Sequence, residues 1–297
     1  MADRTNALSD GVLIAQITDT HVGFEPDAGE DEFNFVRFRQ VVAHLRSLPV
    51  QPDLLILSGD LADSGQPACY QRIKALVADC PFPVHVIPGN HDSRTEMLNA
   101  FPDCPTHDGF AQFALELGTG KDRLRVLCLD SFEPGRHGGA FCETRAAWLT
   151  RELDQSPDTP TVLVMHHPPV VAGIEWMDPR PNEAWFQRFH DTVRGRDQIV
   201  AILAGHLHRP LHSSVEGIPV SVTPAVAPAV SLDMRPISPD DADKRAIVDA
   251  EPPFYSLHLW RNGSLASHFQ PVGEWQTLAR YEERLKPMIK GLFEERS

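Results

Sequence analysis

Asp19, His21, Asp60, Asn90, His91, His166, His206 and His208 share two properties. Each can bind a metal through a carboxylate, an amide oxygen or an imidazole nitrogen, and each stands just beyond a short apolar run. In Asp19-x-His21 and His206-x-His208, an extended backbone returns alternate side chains to one side, so each pair can point into one site. Oxygen and imidazole donors without a thiolate suit Zn, Mn or Fe. Eight donors are too many for one ion. Shared through a central carboxylate they suit two, and two metals about 3.5–4 Å apart can clamp a phosphoryl group between nucleophile and leaving oxygen. Taken singly, any of these histidines reads as structural, and Asp19 or Asp60 reads as a helix cap. Their joint placement at five strand ends favours the metal.

The elements that must position these residues are legible upstream of each. Val12–Thr18, 54–57, 84–87, 161–165 and 199–203 are short, β-branched or apolar, and without helical period, so they read as buried strands. A sixth run, 124–129, ends in Asp130-Ser131. Between them, Phe38, Val41, Val42, Leu45 and Leu48 mark one helical face closed by Pro49. Further helices are predicted through Ile73–Val77, 144–153 and 182–193. This alternation predicts a layered sheet with helices on its faces. Beyond residue 208 the pattern turns to short strands at 211–215, 219–222, 255–260 and 264–269, the last two joined by the hairpin signal Asn262-Gly263. Residues 233–253 read as an acidic loop or lid, and 274–293 as a helix carrying Leu278, Tyr281, Leu285 and Ile289 on one face.

Composition narrows the partners. With 27 basic against 41 acidic residues and a net charge of -14, the chain lacks the basic face that a grip on polymeric nucleic acid requires. Small anions remain open, because bound metals supply local positive charge. Five cysteines form no CxxC pair, and neither a signal core at Met1–Arg4 nor a membrane-spanning run is evident. A reduced, cytoplasmic protein without membrane partners is therefore expected.

The order D-x-H, G-D-x-x-D, G-N-H-D, H-x-P, G-H-x-H over residues 19–208 resembles the calcineurin-like metallophosphoesterase superfamily. The run from His166-His167-Pro168-Pro169 to Gly173-Ile174-Glu175-Trp176-Met177-Asp178 resembles its branch of class III cyclic-nucleotide phosphodiesterases and glycerophosphodiesterases. The resemblance implies a four-layer α/β/β/α sandwich of two mixed sheets. A catalytic domain over 1–230 would be completed or capped by 231–297. It implies Asp19, His21 and His208 on a first metal, Asn90, His166 and His206 on a second, and Asp60 bridging both, the ions being Fe, Mn or Zn. His91 matches the histidine beside the scissile phosphate, and Asp63 the acid that orients it. The implied activity is hydrolysis of small phosphodiesters, cyclic nucleotides or glycerophosphodiesters, by attack of a metal-bound hydroxide. A phosphomonoesterase or a non-catalytic scaffold are the alternatives, and a homodimer or larger homo-oligomer is expected. Asp92 is expected to cap the following helix, Arg209 to meet phosphate or solvent, His167 to touch substrate or hold structure, and His137 to be able to line a pocket.

Overall fold

A computed structural model describes residues 11–296 of the chain; the Met1–Arg4 stretch lies outside the described residues. The first half runs β1 (Val12–Ile17), α1 (Phe33–Arg46), β2 (Leu54–Ser58), α2 (Pro67–Val77), β3 (Val84–Ile87), α3 (Arg94–Ala100), β4 (Phe113–Leu117) and β5 (Leu124–Cys128). The second half continues with α4 (Glu143–Gln155), β6 (Thr161–Val164), α5 (Ala184–Val193), β7 (Ile199–Ala204), β8 (Leu211–Val215) and β9 (Ile218–Val222). It closes with β10 (Ala229–Val230), β11 (Val248–Asp249), β12 (Phe254–Arg261), β13 (Ser264–Pro271) and α6 (Lys286–Glu294).

Two mixed sheets result, ordered β13-β12-β1-β2-β3 and β4-β5-β6-β7-β9-β8, with β10 and β11 as a separate pair. The side-chain period of two explains the layering. Val12 and Ile14 of β1, Leu54 and Ile56 of β2, Val126 of β5, Val162 of β6 and Leu203 of β7 fill the space between the sheets. Their alternates, Ala15, Ile17, Leu55 and Leu57, pack outward against Phe38 of α1 and Tyr70 of α2. On the other side, Leu127, Leu163 and Ile202 meet Trp148 of α4 and Phe189 of α5. Strands covered on both faces read as continuous apolar runs rather than alternating ones. Helices, sheet, sheet and helices make four layers, as the motifs implied.

β12 runs antiparallel to β1 from Val12↔Trp260 to Gln16↔Ser256, so the late strands complete the first sheet. One polar patch interrupts the inter-sheet core. Gln16 donates through Nε2 to Ser58 Oγ (2.8 Å) and Ala204 O (3.1 Å), while its Oε1 lies 3.0 Å from His258 Nε2.

The tail departs from expectation. Regular helix is confined to Lys286–Glu294 after a single 3-10 turn at Glu283–Leu285, and residues 274–282 form none. Pro287 supplies the reason. It is tolerated in the first turn of α6, but inside a longer helix it would lack an N–H and clash with the carbonyl four residues back. Leu278 and Tyr281 consequently stand exposed rather than on a buried face.

Candidate active site

The parallel registers bring the strand ends level. β1 pairs with β2 up to Ile17↔Leu57, and β6 with β7 up to Val164↔Leu203. Past these points the backbone turns sharply. Asp19, His21, Asp60, His206 and His208 all have positive φ, between 44° and 71°, whereas four other described non-glycine residues do. Left-handed backbone in residues with a Cβ costs about 1–3 kcal/mol each and persists where the surroundings enforce it. Here Asp19 N–H bonds Gly59 O and His21 N–H bonds Asp60 O, both at 3.0 Å. Close approach demands glycine beside them. A Cβ on Gly89 would lie 2.3 Å from Asp60 Oδ1, and one on Gly205 2.8 Å from Asp19 Oδ2.

The side chains converge. His208 Nε2 lies 3.2 Å from Asp19 Oδ1 and from His21 Nε2, and His21 Nε2 is 3.6 Å from Asp60 Oδ2. On the far side of Asp60, Oδ2 is 3.2 Å from His166 Nε2, which is itself 3.8 Å from Asp19 Oδ1. The opposite ring nitrogens are held from behind. His21 Nδ1 meets Asp63 Oδ1 (3.0 Å), His166 Nδ1 meets Ser58 O (2.9 Å), and His208 Nδ1 meets Pro228 O (2.8 Å). Such partners fix the tautomer that leaves Nε2 free to coordinate. Asp19 is tethered through Oδ2, which accepts from Thr18 Oγ1 and His206 N.

Three buried atoms of the expected ligands have no hydrogen-bond partner: Asp19 Oδ1, Asn90 Oδ1 and His166 Nε2. Unpaired buried polar atoms are costly, so Asp19 Oδ1 and His166 Nε2, only 3.8 Å apart, call for an ion. The carboxylate, amide and imidazole donors fit one, and the groups Asp19–His21–His208 and Asp19–Asp60–His166 each lie within coordinating range. Electrostatics agree with mutual attraction. Burial opposes the charge on Asp60, yet His166 and His21 draw its carboxyl well below the ordinary range. Burial likewise opposes charge on His166, but Asp60 and Asp19 raise it to about 9. Burial and neighbouring histidines push His206 well down, keeping it neutral as a ligand must be.

His91 stands at the open side. Its backbone N–H donates to Asp60 Oδ1 at 2.8 Å and its ring Nδ1–H to the carbonyl of Asp63 at 2.8 Å, which leaves Nε2 toward the cavity. It also approaches His21 and Asp60 closely enough to join a metal group, so distance alone does not separate the two roles. Asp63 differs from expectation in one respect. Its carboxylate lies 3.0 Å from His21 and 3.9 Å from His91, so the main chain orients His91 and the side chain orients His21.

Asp92 is not the helix cap. Ser93 caps α3 by accepting from Glu96 N–H, a Ser-x-x-Glu signal present in the sequence. The Asp92 carboxylate is buried and accepts from Leu61 N, Ala62 N, Gly89 N and Tyr70 OH, tying the Asp60 loop to the Asn90 loop. Burial and the nearby Asp60 raise it to about 6. His167 has both ring nitrogens engaged, by Ser131 Oγ and His137 O, and it also lies within coordinating range of His166 and His206. Arg209 turns away to Val230 O and Glu251. His137 does line the cavity, its Nδ1 3.1 Å from Asn90 Nδ2. Asp178 accepts from Ala172 N and Gly173 N and so braces its loop.

Sequence reasoning missed Arg37 and the segment it holds. From α1 its guanidinium donates to Val226 O (2.6 Å), Ala227 O (3.2 Å) and Glu251 O (2.7 Å). That segment also supplies Pro228 O to His208 and Ala227 N–H to Asp19 O. The available signal was faint: an apolar, Pro-bearing stretch directly after a strand.

Two packed sheets with an oxygen-and-imidazole cluster at their strand ends define the metal-dependent phosphoesterase class. The chain belongs to the calcineurin-like phosphoesterase family, whose model matches residues 12–210. A protein of Arcobacter nitrofigilis named "Probable glycerophosphodiester phosphodiesterase GpdQ" is 30% identical over 271 residues, spanning 89% of this chain and 95% of that one. The 3',5'-cyclic adenosine monophosphate phosphodiesterase CpdA of Escherichia coli is 30% identical over 216 residues, covering 72% of this chain and 76% of its own. Among solved structures, Plasmodium GAP50 shares the fold with a TM-score of 0.55 at 12% identity, covering 91% of each chain.

Proposed function

We propose that this chain is a dinuclear-metal phosphodiesterase for small diesters, cyclic nucleotides or glycerophosphodiesters. The observation that carries the reading is the largely buried convergence of Asp19 with His21 and His208, and of Asp19 and Asp60 with His166, where Asp19 Oδ1 and His166 Nε2 lack hydrogen-bond partners. Asp19, His21 and His208 would hold one ion, Asn90, His166 and His206 the second, with Asp60 between them. Bound Fe, Mn or Zn would lower the pKa of water and offset charge on the non-bridging phosphate oxygens. The protein's own part is positional. Asp63 Oδ1 and the carbonyls of Ser58 and Pro228 fix the ligand rings. His91, its Nδ1–H committed to a main-chain carbonyl, presents Nε2 to a phosphate oxygen and can deliver a proton to the departing alkoxide.

A diester is favoured over a monoester by the cavity wall. No Lys or Arg is among the described residues lining it, so beyond the metals and the His91 ring little there would balance a second phosphate charge. Its volume of ≈ 330 Å³ suits one small ligand. A cytoplasmic homodimer or larger assembly belongs to the same reading; no helix among the described residues is long and apolar enough to cross a membrane. The test is parallel turnover of bis(4-nitrophenyl) phosphate and 4-nitrophenyl phosphate by Mn²⁺-reconstituted protein. Diester preference is expected, and a strong monoester preference would overturn it.

A further inference from the structure

Besides the expected ligands, the cavity is lined by several large apolar side chains. Phe24 is 64% exposed, Phe33 45% and Trp176 36%, an unusual outlay of aromatic surface to water around one opening. Met177 and Val248 line the same cavity. The backbones that carry the rings are held in place. Gly23 N–H and Phe24 N–H both donate to the buried Glu32 carboxylate, which is paired with Arg72 at 2.8 Å. Phe33 N–H donates to Glu25 Oε2 at 3.1 Å, and the Arg37 guanidinium sits 5.2 Å from the Phe33 ring centre. Trp176 follows the turn that Asp178 braces through Ala172 N–H and Gly173 N–H. The one carboxylate on this wall, Glu25, is thus already engaged.

Aromatic side chains on held backbones, with no Lys or Arg among the described residues lining the cavity, offer little to a polyol and much to a flat ring. Such platforms take nucleobases or aryl groups without reading their edges. We propose that Phe24, Phe33 and Trp176 form a subsite for a planar aromatic substituent of the diester. The chain then selects nucleobase-bearing or aryl diesters over glycerol-bearing ones. This inference rests on the phosphodiesterase reading and narrows its substrate class.

The experiment compares 3',5'-cyclic AMP with glycerophosphoethanolamine on Mn²⁺-loaded full-length protein, for wild type, Phe24→Ala and Trp176→Ala. Both substituted residues are exposed, and far-UV circular dichroism checks the fold. The ratio of kcat/KM for the two substrates is expected to favour cyclic AMP and to fall roughly tenfold in each variant. A ratio that stays within twofold of wild type overturns the subsite, whether both activities drop together or neither does. Binding supplies a readout independent of turnover: cyclic AMP should quench a tryptophan signal that Trp176→Ala lacks, and glycerophosphoethanolamine should not. Quenching without hydrolysis of any diester would sink the phosphodiesterase reading and leave the subsite. Hydrolysis with an unchanged ratio and no quenching would sink the subsite alone.

Discussion

Asn90 and His91 are neighbours with opposite duties, and their separation is the sharpest statement the site makes at the residue scale. The amide oxygen of Asn90 is buried without a partner, whereas the His91 ring is tied to a main-chain carbonyl and faces the cavity. Asn90→Ala should weaken the second metal by at least the roughly 10–100-fold that loss of an outer partner costs. Metal analysis beside a melting curve checks it, and full two-metal occupancy with undiminished turnover would refute it. His91→Ala should keep both metals while slowing diester cleavage by about 10²–10⁴-fold, most for poor leaving groups. A loss independent of the leaving group would remove the proton-donating role and leave electrostatic stabilisation. At this scale the sequence was legible because residue type and spacing carry the chemistry, yet Asp19-x-His21 and His206-x-His208 meet through left-handed turns and not the extended backbone expected of them. It misread Asp63 and Asp92, because which carboxylate meets which donor depends on turns whose φ angles the sequence does not declare.

At the scale of elements, the strand ends were readable and their support was not. The apolar runs predicted β1, β2, β3, β6 and β7 because strands buried on both faces need little else. The tail failed since periodicity suggested a long helix where Pro287 forbids one. Arg37 went unnoticed for a related reason: its partners are carbonyls of residues 226, 227 and 251, far along the chain and without side-chain signature. Through those carbonyls α1 holds the segment that orients His208 and Asp19. Arg37→Met should therefore cost about 3 kcal/mol, given 1.5–3 kcal/mol for a hydrogen bond to a charged group and the carbonyls left unpaired. Occupancy of the first metal should fall with it, while Arg37→Lys recovers part of both. Calorimetric melting with and without metal measures the two effects. A stability loss with unchanged metal affinity would mean that Arg37 braces the fold and not the site.

The whole molecule depends on two sheets closing over a core that is apolar except at one point. Buried between them, His258 places Nε2 3.0 Å from Gln16 Oε1, which can only accept, and Nδ1 2.8 Å from Ser267 Oγ. The neutral ring, with its proton on Nε2, satisfies both. Burial, with His268 and His212 nearby, lowers its pKa to about 3, against about 6.5 for an unfolded histidine. The unfolded chain therefore binds a proton that the folded one refuses whenever the pH lies between those values. Stability from this residue is present above about 6.5 and declines by up to about 1.4 kcal/mol per unit below it. Between pH 7.5 and 5 the contribution lost is about 2 kcal/mol. His258→Gln keeps a neutral hydrogen-bonding side chain without the titration, so its stability should vary less over that interval. Urea melts of metal-free wild type and variant at several pH values isolate the term, because the site histidines titrate equally in both and cancel in the difference. Parallel curves for the two proteins would show that His258 accepts its proton inside the fold, and that the seam between the sheets is wetter than its burial indicates.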